Sequence, residues 1–174
     1  MTTWVALLRA VNLGPTNKVP MAQLRTALAR EGFAEVRTYI ASGNVLLASD
    51  EPRESLARRL EELIAAEFGV KTPAIMRTAD ELAAVLAAHP FADSERTYVS
   101  FLASEPAAEA VEALHTGDWG DERAAVVGSE AYLSFPAGIG RAQLNGPRLE
   151  RILGVAGTVR NWRTVTALAE LAAG

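Results

Sequence analysis

The period of the hydrophobic residues changes along this chain in an order that then comes round a second time, and that order most restricts the fold. From Trp4 to Val11 the residues are almost all apolar, as in a strand covered on both faces. The loop NLGPTNKVP follows, then PMAQLRTALAREGF, with Met21, Leu24 and Leu28 at helical spacing. Pro20 suits the first helical position, and Gly32 suits a helix stop at positive φ. EVRTYIASGNVLLAS reads as a hairpin. Val36, Thr38 and Ile40 alternate with Arg37 and Tyr39, and Gly43-Asn44 supplies a two-residue turn. RESLARRLEELIAAEFG is an amphipathic helix, with Leu56, Leu60, Ile64 and Phe68 in one stripe and Gly69 as its stop. KTPAIMR reads as a strand that Pro73 places at an edge or near an end. The order is β-α-β-β-α-β, the split pattern of a ferredoxin-like unit.

The second half follows the same outline. Thr78 and Glu81 form a capping box for the helix DELAAVLAA, which ends at His89-Pro90. RTYVSFLA is a strand, SEPAAEAVEALH a helix capped by Ser104, and RAAVVGSEAYLSF a hairpin turning at Gly128-Ser129. The loop PAGIGRAQLNG leads to a short helix, PRLERIL, and WRTVTALAELAA is the last helix. The expectation is an α+β protein of two ferredoxin-like halves in tandem, an internal structural duplication without visible sequence identity. The acidic stretch from Asp93 to Glu95 marks the boundary, which gives a first half, with a linking helix, over 1–92 and a second, with the C-terminal helices, over 93–174. A chain of 174 residues, 49% of them apolar, can bury cores of that size.

Composition then removes whole classes of chemistry. There is no cysteine, hence no disulfide, thiol nucleophile or thiolate metal site. His89 and His115 are the only histidines, too few for a histidine-rich metal centre, so neither metal nor cofactor is expected. No apolar run approaches the roughly 18 residues of a membrane span, and the opening lacks the pattern of a signal peptide. The expected location is the cytoplasm, without a membrane partner. Net charge is −4, which argues against broad nucleic-acid binding. Its distribution says more. Residues 1–48 carry five basic and two acidic side chains, 49–122 six and sixteen, and 123–174 six and three. No acid precedes Glu31, and none lies between Glu150 and Glu170. Two readings stand side by side: a basic face where the two ends meet, or solvated faces of uneven charge.

Several stretches carry a family likeness. VALLRAVNLG, KVPMAQLRTALAREGF and VRTYIASGNVLL, with YLSFPAGIGRAQL and TVRNWRTVTALAEL further on, resemble a bacterial family designated only as domain of unknown function sixteen ninety-seven. Its opening resembles ALLRGINVGG, followed by a lysine, a helix with methionine, GF and TYIxSGNV. The resemblance spans nearly the whole chain and implies two ferredoxin-like halves; it implies no activity. The sequence departs from it at Ala10, usually glycine, and at Pro15, in place of a second glycine. Both changes stiffen the first loop.

The residues that could hold a ligand are mostly cationic. In GTVRNWRTV, just before the last helix, Asn161 suits an N-cap and Trp162, Val165 and Ala169 an apolar stripe. Arg160 and Arg163 are less easily explained, because the positive end of a helix disfavours cations and welcomes anions. They point to a bound anion, with an internal ion pair to the acidic middle segment as the competing account. Arg9 interrupts an apolar strand and calls for a partner, a cleft or an outlet to water at the strand end. Lys18 offers one charge in a strand-to-helix loop that is not a phosphate-binding Walker motif, since no glycine precedes the lysine and no hydroxyl follows it. Asn12 and Asn17 suit turn chemistry, and Asn12 joins the candidate ligand set. Arg141 lies in GIGRAQLNG, which has Gln143 where a dinucleotide fingerprint has its third glycine. Ser42 and Asn44 are explained by turn geometry and enter the set through the family pattern alone. His89 and His115 read as helix-end residues. Trp119 reads as an exposed loop aromatic, or as part of a folded-back loop.

Three functions follow from this set. The first is a binding module for a phosphorylated small molecule, a nucleotide or a nucleic-acid end, held by Arg9, Asn12, Lys18, Arg141, Arg160, Asn161, Trp162 and Arg163. The second is a protein–protein interaction module, monomeric or weakly dimeric. The third is an enzyme of unrecognised mechanism. The residues lean away from it, because the basic clusters hold no acid, cysteine or histidine to move a proton and nothing activates Tyr39 or Ser42. Base stacking of the RNA-recognition type is disfavoured too, since VALLRAV and VLLAS lack phenylalanine and tyrosine.

Overall fold

Eight strands fall into two separate four-stranded antiparallel sheets. The computed structural model describes all residues, 1–174. The chain divides into two units, Met1–Leu82 with Leu168–Gly174, and Ala83–Ala167. In the first, β1 (Thr2–Leu8), β2 (Ala34–Thr38), β3 (Asn44–Ser49) and β4 (Ala74–Thr78) lie in the order β2-β3-β1-β4, with α1 (Met21–Arg30) and α2 (Arg53–Phe68) between them in sequence. In the second, β5 (Thr97–Leu102), β6 (Arg123–Val127), β7 (Glu130–Ser134) and β8 (Gly157–Asn161) lie in the order β6-β7-β5-β8, with α4 (Ala108–Thr116) and α5 (Gly146–Leu153). Two further helices, α3 (Ala79–Ala88) and α6 (Trp162–Ala173), follow β4 and β8 directly. Each half is therefore βαββαβ plus one helix, and the two ferredoxin-like halves stand in tandem.

Burial follows the apolar pattern. On one face of the first sheet Trp4, Ala6, Leu8, Val45, Leu47 and Met76 pack with Leu24, Ala27 and Leu28 of α1 and Leu56, Leu60 and Ile64 of α2. The alternate residues Val5, Leu7, Leu46 and Ile75 are buried as well, which is why β1 has no polar face to show in its sequence. The second unit's helical core gathers Leu102, Leu114, Leu133, Phe135, Leu144, Leu149 and Leu153. Trp119 packs against that core and donates its indole N–H to Leu114 O at 2.8 Å, so its loop is folded back.

Four local expectations need correction. GTVRN is a strand rather than a mere helix entrance: β8 pairs antiparallel with β5 from Gly157↔Leu102 to Asn161↔Tyr98 and completes the second half. The β2–β3 turn spans five residues, Tyr39 to Gly43, rather than two. Asn44 belongs to β3, where it pairs with Leu7 and its amide donates to Tyr39 O at 2.9 Å. Ser104 does not cap α4. That helix begins at Ala108 behind an uncapped Ala107, because Pro106 keeps the residue before it out of helical geometry. Pro20 is the residue before the first helical position of α1, not that position itself.

Candidate functional site

The segment GTVRNWRTV resolves into four separate roles. Arg160 points inward from β8 and is 7% exposed; its Nη1 donates to Thr158 Oγ1 at 2.6 Å and Val159 O at 3.1 Å. Burial pushes its guanidinium down to about 10, which leaves it charged at neutral pH. Asn161 caps α6, its Oδ1 accepting the Thr164 N–H at 2.8 Å. Trp162 sits edge-on to the His89 ring, with centroids 4.4 Å apart. Arg163 is exposed, on a first turn of α6 that carries no acid. Arg141 is exposed on a single 3₁₀ turn over Ile139–Arg141.

In the first unit the candidate residues gather around one loop. Asn12 braces it: Nδ2 donates to Val19 O at 2.9 Å and to Ala41 O at 2.7 Å, while Oδ1 accepts from Val19 N–H at 2.8 Å. That side chain is fully engaged by backbone, which ties the loop to the β2–β3 turn. Ser42 and Asn44 are braces as well, Nδ2 of Asn44 donating to Ser42 Oγ at 3.0 Å. Arg9 is half-buried just past the end of β1, where its main chain is clamped by Thr72: N–H to Oγ1 at 3.0 Å, and Oγ1–H to Arg9 O at 2.7 Å.

Lys18 is different. It lines an open groove of about 530 Å³ between this loop, the start of α1 and the β2–β3 turn. Asn12, Pro20, Met21 and Ala41 form part of the wall, and Arg25, Thr38 and Ile40 complete it. Two cations, Lys18 and Arg25, line this groove and no carboxylate does. Arg25 is oriented by a hydrogen bond from Nη1 to Thr38 Oγ1. The start of α1 has no side-chain cap and no acid in its first turn, so its N–H groups add to the positive potential. The backbone around the groove is unusual. Ala10, Asn12, Asn17 and Ile40 all have φ between 49° and 57°. For β-branched Ile40, which is 52% exposed, that is a genuine outlier.

Of the residues singled out in the sequence, the groove contains Lys18 and Asn12. Arg9, Ser42 and Asn44 do not line it, and Arg141, Arg160, Asn161, Trp162 and Arg163 belong to the second unit. Arg25, Thr38 and Ile40 were missed. One signal for Arg25 was present: it stands four residues after Met21, so the two share a helix face with the loop at its foot. No group of three His, Asp or Glu side chains is placed to hold a metal ion, and no helix is long and apolar enough to cross a membrane.

The fold and groove together define a tandem ferredoxin-like protein with a basic, acid-free groove beside its first helix. The chain belongs to DUF1697, a family described as protein of unknown function, whose model matches residues 1–132. It is similar to the conserved bacterial protein SP0830 from Streptococcus pneumoniae, with a TM-score of 0.79 at 22% identity over 100% of this chain and 99% of that one. At that identity the likeness concerns the fold. No curated protein matches the chain.

Proposed function

We propose that this protein is a binding module for a phosphate-bearing ligand, and that the groove beside α1 receives the anion. The observation that carries this reading is the pairing of Lys18 and Arg25 on an open groove without a carboxylate. Two cations lining one groove beside the uncapped start of a helix make a positive potential that favours an anion there. The left-handed residues around the groove support the same reading, because strained backbone persists where a site needs it. Pro20, Met21 and Ile40 add an apolar wall, so the ligand carries an organic part beside its phosphate.

A thermal-shift series at low salt tests this, with phosphate, sulfate, sugar phosphates, nucleotides and short single-stranded oligonucleotides as probes. A ligand at about 100 times its dissociation constant stabilises by roughly 2.7 kcal/mol. Lys18→Ala and Arg25→Ala should each remove the shift, and Arg163→Ala should leave it in place. A shift lost only in Arg163→Ala would move the anion to the start of α6. No shift with any probe would sink the reading.

A further inference from the structure

At the end of α3, in the second unit, a histidine is enclosed by aromatic rings. His89 is 7% exposed. Its Nδ1 accepts the Phe91 N–H at 3.0 Å. An accepting Nδ1 bears no proton, so the neutral ring carries its proton on Nε2. Nε2 is buried and has no hydrogen-bond partner. Around it stand Trp162 at 4.4 Å, Tyr132 at 4.9 Å and Phe91 at 6.0 Å, centroid to centroid. A buried orphan N–H is costly, and contact with a ring face offsets only part of that.

This arrangement tolerates one protonation state. A second proton on the ring would have to sit on Nδ1, where the Phe91 N–H already points; two donors cannot share that line. Cation–π attraction to the rings would favour the imidazolium only if it could stay in place, which the Phe91 amide forbids. The groups packed against it do not help. Tyr132 on β7 is neutral over the whole working range, because burial, with the Glu130 charge behind it, pushes its hydroxyl up to about 12. Arg123 on β6 places a second cation 4.6 Å from the Phe91 ring. Trp162 on α6 carries no charge. Burial alone holds the imidazole below its ordinary 6.5, and no carboxylate offsets it.

We propose that His89 is an acid-operated latch: neutral, it fastens the connector between α3 and β5 against β7 and the start of α6; protonated, it releases Phe91 and Trp162. The far end of the connector is held separately at Arg96, whose carbonyl accepts the Phe135 N–H at 3.1 Å and whose Nη1 donates to Pro136 O at 2.8 Å, so the release is confined to the stretch around Phe91, which has two ties. Arg123 reaches Ser94 Oγ at 2.8 Å, and Ser94 N–H reaches Phe91 O at 2.9 Å. Both depend on Phe91 staying where the latch holds it.

Nuclear magnetic resonance of the full chain from pH 8 to pH 4.5 tests this directly. Imidazole nitrogen shifts at neutral pH should show Nδ1 bare and Nε2 protonated. On acidification His89 should titrate below 6.5. The Phe91 amide and the Trp162 indole should move with the same midpoint. In His89→Gln, whose carbonyl can still accept the Phe91 N–H, both should stay flat. The proposal is overturned if His89 titrates while those two signals hold still, or if they move identically in His89→Gln. Should that variant not fold, the wild-type midpoints alone decide the matter.

Discussion

Ala10 has φ 57°, Asn12 57° and Asn17 54°, three left-handed residues within one short loop. Asparagine tolerates that conformation; alanine does not. The position at which this chain departs from the family's usual glycine is therefore one where glycine would serve the backbone better. Ala10 is exposed, so nothing else holds its methyl group in place. Ala10→Gly should stabilise the protein by about 0.5–1 kcal/mol, the relief of the left-handed strain less the added freedom of the unfolded chain. Gly43 is the opposite case. Its φ is 93°, and a Cβ there would lie 2.6 Å from Val11 Cγ2 and 2.9 Å from Leu8 Cβ. Neither neighbour can swing aside, since both belong to the core beneath the β2–β3 turn. Gly43→Ala should cost about 2 kcal/mol or more. Urea unfolding of both variants reads the two effects, which should have opposite signs.

At the scale of elements, what is local could be read in advance. Thr78 and Glu81 make the reciprocal bonds of a capping box: Glu81 Oε2 accepts the Thr78 N–H at 2.8 Å, and Thr78 Oγ1 accepts the Glu81 N–H at 3.2 Å. Those residues stand three apart, so their spacing carries the whole signal, as it does for Asn161. β8 was illegible for the contrary reason. GTVRN is five residues long, and its strand character comes from pairing with β5, more than fifty residues away. The groove divides in the same manner. Lys18 is visible as a loop cation, whereas Arg25 reads as one more helix arginine until Thr38, from the hairpin, fixes it. The capping box also makes a pH prediction. Desolvation works to raise Glu81, but hydrogen bonds from Arg53 and the Thr78 N–H, with the charges of Arg53 and Arg77, outweigh it and hold it below 4.5. A carboxyl lowered on folding stabilises above its unfolded pKa, and that contribution fades as pH falls through the folded value. Glu81 is 40% exposed, so its bond to Arg53 is screened. Glu81→Gln should cost about 0.5–1 kcal/mol at pH 7, with the gap from wild type closing at pH 3. Equal gaps at both pH values would mean that packing, not charge, sets the effect.

The duplication at the scale of the whole molecule is finer than topology. β4 faces β1 with Ala74 opposite Leu8 and Arg77 opposite Val5; β8 faces β5 with Gly157 opposite Leu102 and Arg160 opposite Val99. Residue by residue, AIMRT and GTVRN hold the same stations. Each ends in the residue that caps the helix after it, Thr78 before α3 and Asn161 before α6. Each places a buried arginine one residue earlier, 6% and 7% exposed, whose Nη1 donates to the carbonyl just before it, Met76 O at 2.9 Å and Val159 O at 3.1 Å. A buried guanidinium is expensive to desolvate and is held only where its bonds are made. If the two arginines are the same device used twice, removing either should cost a similar amount. Arg77→Met and Arg160→Met keep most of the side-chain volume, so they report lost polar bonds rather than a cavity. Each should destabilise by about 1–3 kcal/mol, because a buried carbonyl loses its charged donor. Urea unfolding decides between two accounts. Matched losses mean that both halves depend on the inward arginine of their last strand. A variant as stable as wild type would show that its arginine is tolerated rather than required, and that the two halves share their topology but not their energetics.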